Sequence, residues 1–359
     1  MWFLVIFYIL ENMGTQKTKN TAAAKPQHKR LYKYLAYSGG IVIALVIAVY
    51  IAFQVSPWPN ALIIRYFFDK GGAKTAASMQ KYVPSGITAI KNQQYRAHDK
   101  DGKLDVFYPQ NTTQALPTIV WVHGGGWVSG SKETVDPYLK ILAGQGYTTV
   151  GIDYTIAPNA KYPTPVLQTN DALRYLQQNA NRLHIDPNSI VLAGDSAGSQ
   201  IAAQVATIIT NPTYAKELGI SAPIAANQLK AMVLNCGAYD LTLPNYNGED
   251  GKFLKTVLWA YSGSKDFLSD PAIKKASVAD YATKDFPTSF ITAGNADPLE
   301  AQSKEFATVL TKLGVQTDTL FYPENHQPQL PHEYQFDLST TDGHNALNRI
   351  EQFLKTTVQ

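Results

Sequence analysis

From about residue 104 onward, short apolar runs alternate with amphipathic stretches, and this alternation dominates the chain. Leu104-Asp105-Val106-Phe107-Tyr108 reads as an alternating strand before Pro109. Runs rich in β-branched and aromatic residues predict further strands near 118–123, 148–154, 189–195, 229–236, 288–294 and 315–322. Helical spacing predicts helices near 134–145, 165–183, 197–210, 299–313 and 344–356, with Leu173, Leu176, Ala180 and Leu183 forming the apolar stripe of the second. Strands that alternate with helices predict an α/β fold with a mostly parallel central sheet covered on both faces. One stretch breaks the rhythm. About fifty residues separate Cys236 from Ser289, too many for a plain loop, and they hold apolar patches at Phe253-Leu254 and Val257-Leu258-Trp259. The insertion leaves the carboxyl end of a strand, where α/β sheets place their sites, so it reads as a lid, with surface elaboration as the alternative.

The N-terminal pattern is different. From about Leu35 to Val55 no charge occurs, and Ile41 to Val49 is almost purely aliphatic. Roughly 20 apolar residues suffice to cross a bilayer. Lys17, Lys19, Lys25, Lys29, Arg30 and Lys33 precede the run, which puts the N-terminus on the cytoplasmic side. The expected organisation is a basic cytoplasmic tail over 1–34, a transmembrane anchor over 35–55 in the cell membrane, and an extracytoplasmic domain over 56–359. A cleaved signal peptide, giving a secreted protein, is the alternative, although no A-x-A site follows closely. Met1 to Leu10 is apolar but too short to span, and Met13 offers a second start.

Composition narrows the class. A chain of 359 residues accommodates one large α/β domain with appendages. The net charge is +3, yet residues 1–35 hold six basic side chains against one acid, leaving 25 against 27 in the remainder. No basic patch marks the folded part for nucleic acid. Cys236, the only cysteine, excludes an intrachain disulfide and a cysteine-based metal cluster, and reads as a buried small hydrophobe. No metal or organic cofactor is expected, and oligomeric state leaves no signal.

The chemistry lies in two glycine motifs. Gly194-Asp195-Ser196-Ala197-Gly198 follows an apolar strand run and precedes a helical one. A serine at such a strand-to-helix elbow is held in a strained conformation with its hydroxyl exposed above the sheet. His123-Gly124-Gly125-Gly126-Trp127 follows another strand and offers bare amides to an oxyanion, with Gly125, Gly126 and Ala197 as the expected donors. Neither nucleotide-binding glycine pattern is present. His123 reads as a brace for the loop. Trp127 reads equally as a wall of the acyl pocket or as packing.

A serine hydroxyl needs a base, and the base an acid to orient it. Asp297 stands in the strand-end loop Gly294-Asn295-Ala296-Asp297-Pro298-Leu299, on the same edge as the elbow. Glu300 is better placed to open the next helix, and Asp285 lies at the wrong end of its strand. His326, His332 and His344 are the candidate bases. His344 reads as a helix-start residue, while His326 and His332 share a proline-rich loop. On spacing alone they are close rivals, and the aromatics of Tyr334-Gln335-Phe336, able to pack its ring, favour His332.

These residues resemble the hormone-sensitive-lipase-like esterase branch of the α/β hydrolases. The match rests on His123 to Gly126, Gly194 to Gly198, Asp297-Pro298-Leu299 with a late histidine, and Asp153-Tyr154-Thr155-Ile156-Ala157-Pro158 with Tyr162-Pro163, and it covers roughly 100–356. The resemblance implies an α/β-hydrolase fold with cap elements near 60–95 and 238–286, and it strengthens His332 as the base. Ser199 and Ile156 depart from the family pattern without removing a catalytic group, Tyr334 is a conservative replacement, and the anchor lies outside the family pattern. The expected activity is serine carboxylic-ester hydrolysis of small-molecule esters, through Ser196, His332 and Asp297, on short-chain acyl or acetylated substrates. An amidase or peptidase using the same triad, and a non-catalytic binding homologue, are the alternatives.

Overall fold

The computed structural model describes residues 27–244, 246–248 and 251–358; Met1 to Leu10, Met13 and most of the basic tail lie outside the described residues. The chain divides into two units after Val55. The first holds helix α1, Gln27–Val55. Within it Arg30–Val55 contains an 18-residue window with a mean hydropathy of 2.3, none of which is buried. At 1.5 Å per residue Arg30–Val55 extends about 39 Å, longer than a hydrocarbon core of about 30 Å.

The second unit opens with α2 (Trp58–Met79), followed by β1 (Ile87–Gln94), β2 (Lys103–Pro109), β3 (Leu116–Val122), α3 (Lys132–Ala143) and β4 (Thr148–Ile152). Next come α4 (Thr164–Gln178), β5 (Ile185–Asp195), α5 (Ser196–Thr210), α6 (Pro212–Leu218), β6 (Leu229–Asn235) and α7 (Gly251–Ser262). The chain closes with β7 (Thr288–Thr292), α8 (Glu300–Lys312), β8 (Thr317–Leu320) and α9 (Thr341–Val358). Eight strands form one sheet in the order β1-β2-β4-β3-β5-β6-β7-β8. β2 runs antiparallel to β1 and β4, and the other neighbours are parallel.

The two-residue period of the strands separates two cores. Val120, Val122 and Leu192 face Leu173 and Leu176 of α4 and Ile201 of α5. Ile119, Trp121, Val191 and Ala193 face the opposite way, into a cluster with Tyr138 and Leu139 of α3 and Ile350 and Phe353 of α9. A sheet buried on both faces needs the near-continuous apolar runs seen in β3 and β5.

Three features depart from the sequence pattern. β1 was not predicted, because Ile87-Thr88-Ala89-Ile90-Lys91-Asn92-Gln93-Gln94 is half-exposed at the sheet edge and needs few apolar residues. The helix predicted over 165–183 stops at Gln178; Ala180 and Leu183 are buried, but in the turn beyond, where Ile185 N donates to Ala180 O. The region 60–95 splits between α2 and the sheet strand β1. The apolar patches of the long insertion form one face of α7, which buries Val257, Leu258 and Tyr261.

α2 is fastened across the loop that follows β3. Arg65 Nε donates to Val128 O and Nη2 to Ala157 O, both at 2.8 Å, and Asp69 accepts from Ser129 Oγ at 2.6 Å. The Phe68 ring meets Phe253 of α7 with centroids 5.5 Å apart.

Candidate active site

β5 ends at Asp195 and α5 begins at Ser196, whose φ of 52° lies in the left-handed region. The turn is this tight because two glycines allow it. A Cβ on Gly198 would lie 2.0 Å from Val122 O, and one on Gly194 would lie 2.6 Å from Gly198 C. Backbones that close leave the serine projecting at the carboxyl edge of the sheet.

His332 stands beside it. Its Nε2 lies 2.9 Å from Ser196 Oγ, and its Nδ1 lies 2.8 Å from Asp297 Oδ2. Asp297 is buried and its Oδ1 accepts from Leu299 N at 2.7 Å, so both carboxylate oxygens are occupied. Nδ1–H donates to the carboxylate, which leaves the Nε2 lone pair for the serine hydroxyl. The two loops are joined: Ala296 N donates to Leu330 O at 3.0 Å, and Leu330 N to Asn295 Oδ1 at 2.8 Å. The aromatics expected to pack the imidazole make ring contacts with other residues, Phe336 with Trp121 and Tyr138, and Tyr334 with Tyr322. Tyr334 and Phe336 are in the core, where Tyr334 shares a 2.7 Å hydrogen bond with Thr292 and so moors the loop.

The other candidates are engaged elsewhere. His326 Nε2 pairs with Asp342 at 3.1 Å, and His344 is exposed on α9 against Tyr82. Glu300 opens α8 and pairs with Lys304, and exposed Asp285 pairs with Lys284.

The glycine loop is held in two ways. Gly124 N donates to Asp195 Oδ2 at 2.8 Å, while Asp195 Oδ1 accepts from Trp121 Nε1 at 2.7 Å. Among the described residues the amides of Gly125 and Gly126 donate no hydrogen bond within the protein. Ala197 lies in the first turn of α5, where helix amides lack intrahelical acceptors. These are the three N–H groups that the sequence predicts for an oxyanion. His123 is buried and stacked on Tyr154 at 4.3 Å, and its Nδ1 donates to Gly124 O at 2.8 Å. Burial holds this imidazole below its usual pKa, which suits a neutral brace. Trp127 is packing: it is buried, stacked on Tyr261, and donates to Gln200 Oε1 at 3.2 Å. Ser199 Oγ bonds the Tyr239 hydroxyl at 2.7 Å.

Two neighbours of the histidine were not legible as site residues. Cys236 is buried, as its strand predicted, but its sulfur lies within 4.8 Å of ligand atoms on Asp297 and His332. Burial pushes the thiol up to about 11, so it is neutral near pH 7. Glu333 Oε1 approaches His332 Nε2 to 3.9 Å and also borders Gly124. Burial first, and then the charge of Glu333, raise the Asp195 carboxyl to about 8. Burial opposes the charged form of His332, yet the groups beside it, Cys236 and Asp297, hold it well above the ordinary histidine value. With Cys236 neutral, the Asp297 carboxylate supplies the charge.

A cleft of about 700 Å³ opens above Ser196 and His332; Gly124 and Gly125 line it on one side, and Phe67, Phe68 and Gly72 of α2 on another. That volume suits a small organic molecule.

A family model described as BD-FAE matches residues 104–310, more than half of the chain. The chain is 30% identical over 247 residues to the carboxylesterase NlhH of Mycobacterium tuberculosis, covering 65% of this chain and 72% of that protein. It spans about two thirds of the length of the curated relatives it matches. Among solved structures, esterase B from Lactobacillus rhamnosis superposes with a TM-score of 0.71 at 22% identity, over 82% of this chain and 95% of that one. A Pyrobaculum calidifontis esterase gives 0.66 at 25% identity, over 82% and 93%.

Proposed function

This chain belongs to the BD-FAE family and is a carboxylesterase-type α/β hydrolase, and on that premise we propose that Ser196 cleaves short-chain acyl or acetyl esters through an acyl-enzyme. The observation that carries the reading is the unbroken chain of contacts from Ser196 Oγ through His332 to Asp297, at 2.9 and 2.8 Å, on the floor of a cleft. Ser196 Oγ attacks the ester carbonyl carbon as its proton passes to His332 Nε2. The carbonyl oxygen becomes an oxyanion, held by the amides of Gly125, Gly126 and Ala197. Collapse breaks the bond to the alcohol oxygen, which leaves with the proton from His332. Water then attacks the acyl-serine, giving its proton to His332, and the second collapse returns that proton to Ser196 Oγ and frees the carboxylic acid. Asp297 keeps the imidazole in the required tautomer and stabilises the imidazolium in both steps.

The same proposal places α1 as a membrane anchor with the catalytic unit on the extracytoplasmic side, and α2 with α7 as the cap over the cleft. The apolar span and the basic residues before it support the anchor.

Hydrolysis of p-nitrophenyl acetate tests the assignment. Ser196→Ala and His332→Ala are expected to lower kcat by at least about a thousandfold. His326→Ala is expected to stay within about twofold of the parent, because His326 is paired with Asp342 away from the serine. The reverse pattern for the two histidines would overturn the base assignment.

A further inference from the structure

α2 has apolar side chains on two opposite sides, and among the described residues only one side is packed. Inward, Ala61 and Ile64 pack on the core, while Arg65 and Asp69 make the hydrogen bonds that tie the helix down. Outward, Trp58, Leu62, Ile63, Tyr66 and Phe67 follow the same helical spacing and are exposed, Tyr66 and Phe67 each by 64%. Among the described residues beyond Val55, every exposed large apolar side chain except Leu243 and Leu268 lies on this stretch of α2. An isolated exposed leucine needs no explanation, but a contiguous aromatic and aliphatic stripe does. Farther along the same helix, exposed Lys70 and Lys74 follow it.

We propose that the outer face of α2 lies in the headgroup layer of a lipid bilayer and delivers to the cleft esters whose alcohol portion is dissolved in that bilayer. The inference rests on the esterase and anchor readings above and names the substrate class for that site. Chain length supports it. Only Ser56 and Pro57 separate Val55, the end of the apolar span, from Trp58. Three Cα steps reach at most about 11 Å, so Trp58 cannot leave the vicinity of the membrane surface once α1 spans it. Residue chemistry agrees: tryptophan and tyrosine favour the interface, and lysines favour anionic headgroups. A helix with aromatic and aliphatic side chains on one face and lysines beside them lies in the interfacial plane.

The stripe also reaches the site. Phe67 belongs both to the exposed face and to the wall of the cleft that contains Ser196 and His332. A lipophilic ester lying along α2 would therefore have its carbonyl end near the serine without crossing water. This arrangement suits a short acyl group, which is transferred at Ser196, on a long apolar alcohol, which stays with the lipid.

The test uses the full chain reconstituted in phosphatidylcholine–phosphatidylglycerol vesicles. Two substrates are compared: water-soluble p-nitrophenyl acetate, and the acetate ester of a long-chain alcohol dissolved in the vesicles. Leu62, Ile63 and Tyr66 lie outside the cleft lining, so L62S/I63S/Y66S removes stripe surface without touching the site. The expected result is a loss of about tenfold on the bilayer-dissolved ester, with p-nitrophenyl acetate hydrolysis within about twofold of the parent. Equal rates for variant and parent on both substrates would overturn the proposal. If the variant loses both activities, the parent chain decides. Lipid brominated near the headgroup should quench the emission component that Trp58→Phe removes, and an unquenched Trp58 overturns the proposal. Failure of the esterase reading looks different, as hydrolysis of p-nitrophenyl acetate that survives Ser196→Ala. Failure of the anchor reading appears as release of the chain from vesicles by alkaline carbonate.

Discussion

His332 faces two opposing demands. Burial favours the neutral ring, which is the form able to take the serine proton, whereas the Asp297 carboxylate at 2.8 Å favours the imidazolium. The carboxylate prevails and the pKa is raised, so the neutral base forms only as pH climbs past a value above the ordinary 6.5. The ascending limb of kcat/KM against pH is therefore expected to have its midpoint on the alkaline side of 6.5. By the same sign, the stability gained from the charged pair is complete below the unfolded value and is lost as pH rises through the folded one. Asp297→Asn should move the midpoint down and lower kcat by about three to four orders of magnitude. Cys236→Ala should leave the midpoint in place, because its thiol is neutral over that range. A pH–rate series on the three proteins checks this, and a midpoint unmoved by Asp297→Asn would contradict it. Ser196, Asp297 and the glycines were legible because each sits in a short local pattern. Cys236 was not, since only the folded chain brings it to the histidine, and Glu333, although next to His332 in the chain, has a left-handed backbone that no local pattern announces.

At the scale of elements, the elbow depends on how closely α5 approaches β3. A methyl at Gly198 would lie 2.0 Å from Val122 O and 2.4 Å from His123 O, both backbone atoms that cannot rotate away. Gly198→Ala should therefore cost about 3 kcal/mol and displace the serine. Gly219, at the end of α6 with φ of 66° and open space around it, has only a conformational reason to be glycine. Gly219→Ala should cost about 1 kcal/mol and leave kcat unchanged. Thermal unfolding with parallel activity measurements separates the two, and equal losses would contradict the packing argument. Most strands and helices were legible because a doubly covered sheet writes its burial into long apolar runs. β1 was not, because an edge strand carrying Lys91, Asn92, Gln93 and Gln94 has no such run. Nor was α2 among the predicted helices: apolar residues on both of its sides blur the single stripe by which a surface helix is recognised.

At the scale of the molecule, the sequence divides by charge and hydropathy at the same place where the fold divides by contacts. Basic residues gather before the uncharged run from Leu35 to Val55, and the unit after Val55 carries a small acidic excess and the proposed catalytic residues. The stripe on α2 links those two facts, since it lies next to the apolar run in sequence and borders the cleft in space. The central claim is that one chain joins a reactive serine to a membrane anchor. Its most direct test is labelling of membranes from cells expressing the full chain with a fluorescent organophosphonate, followed by an alkaline carbonate wash. The expected result is a labelled band that stays in the membrane pellet and disappears in Ser196→Ala. Label that persists on Ser196→Ala, or that moves to the soluble fraction, would contradict it.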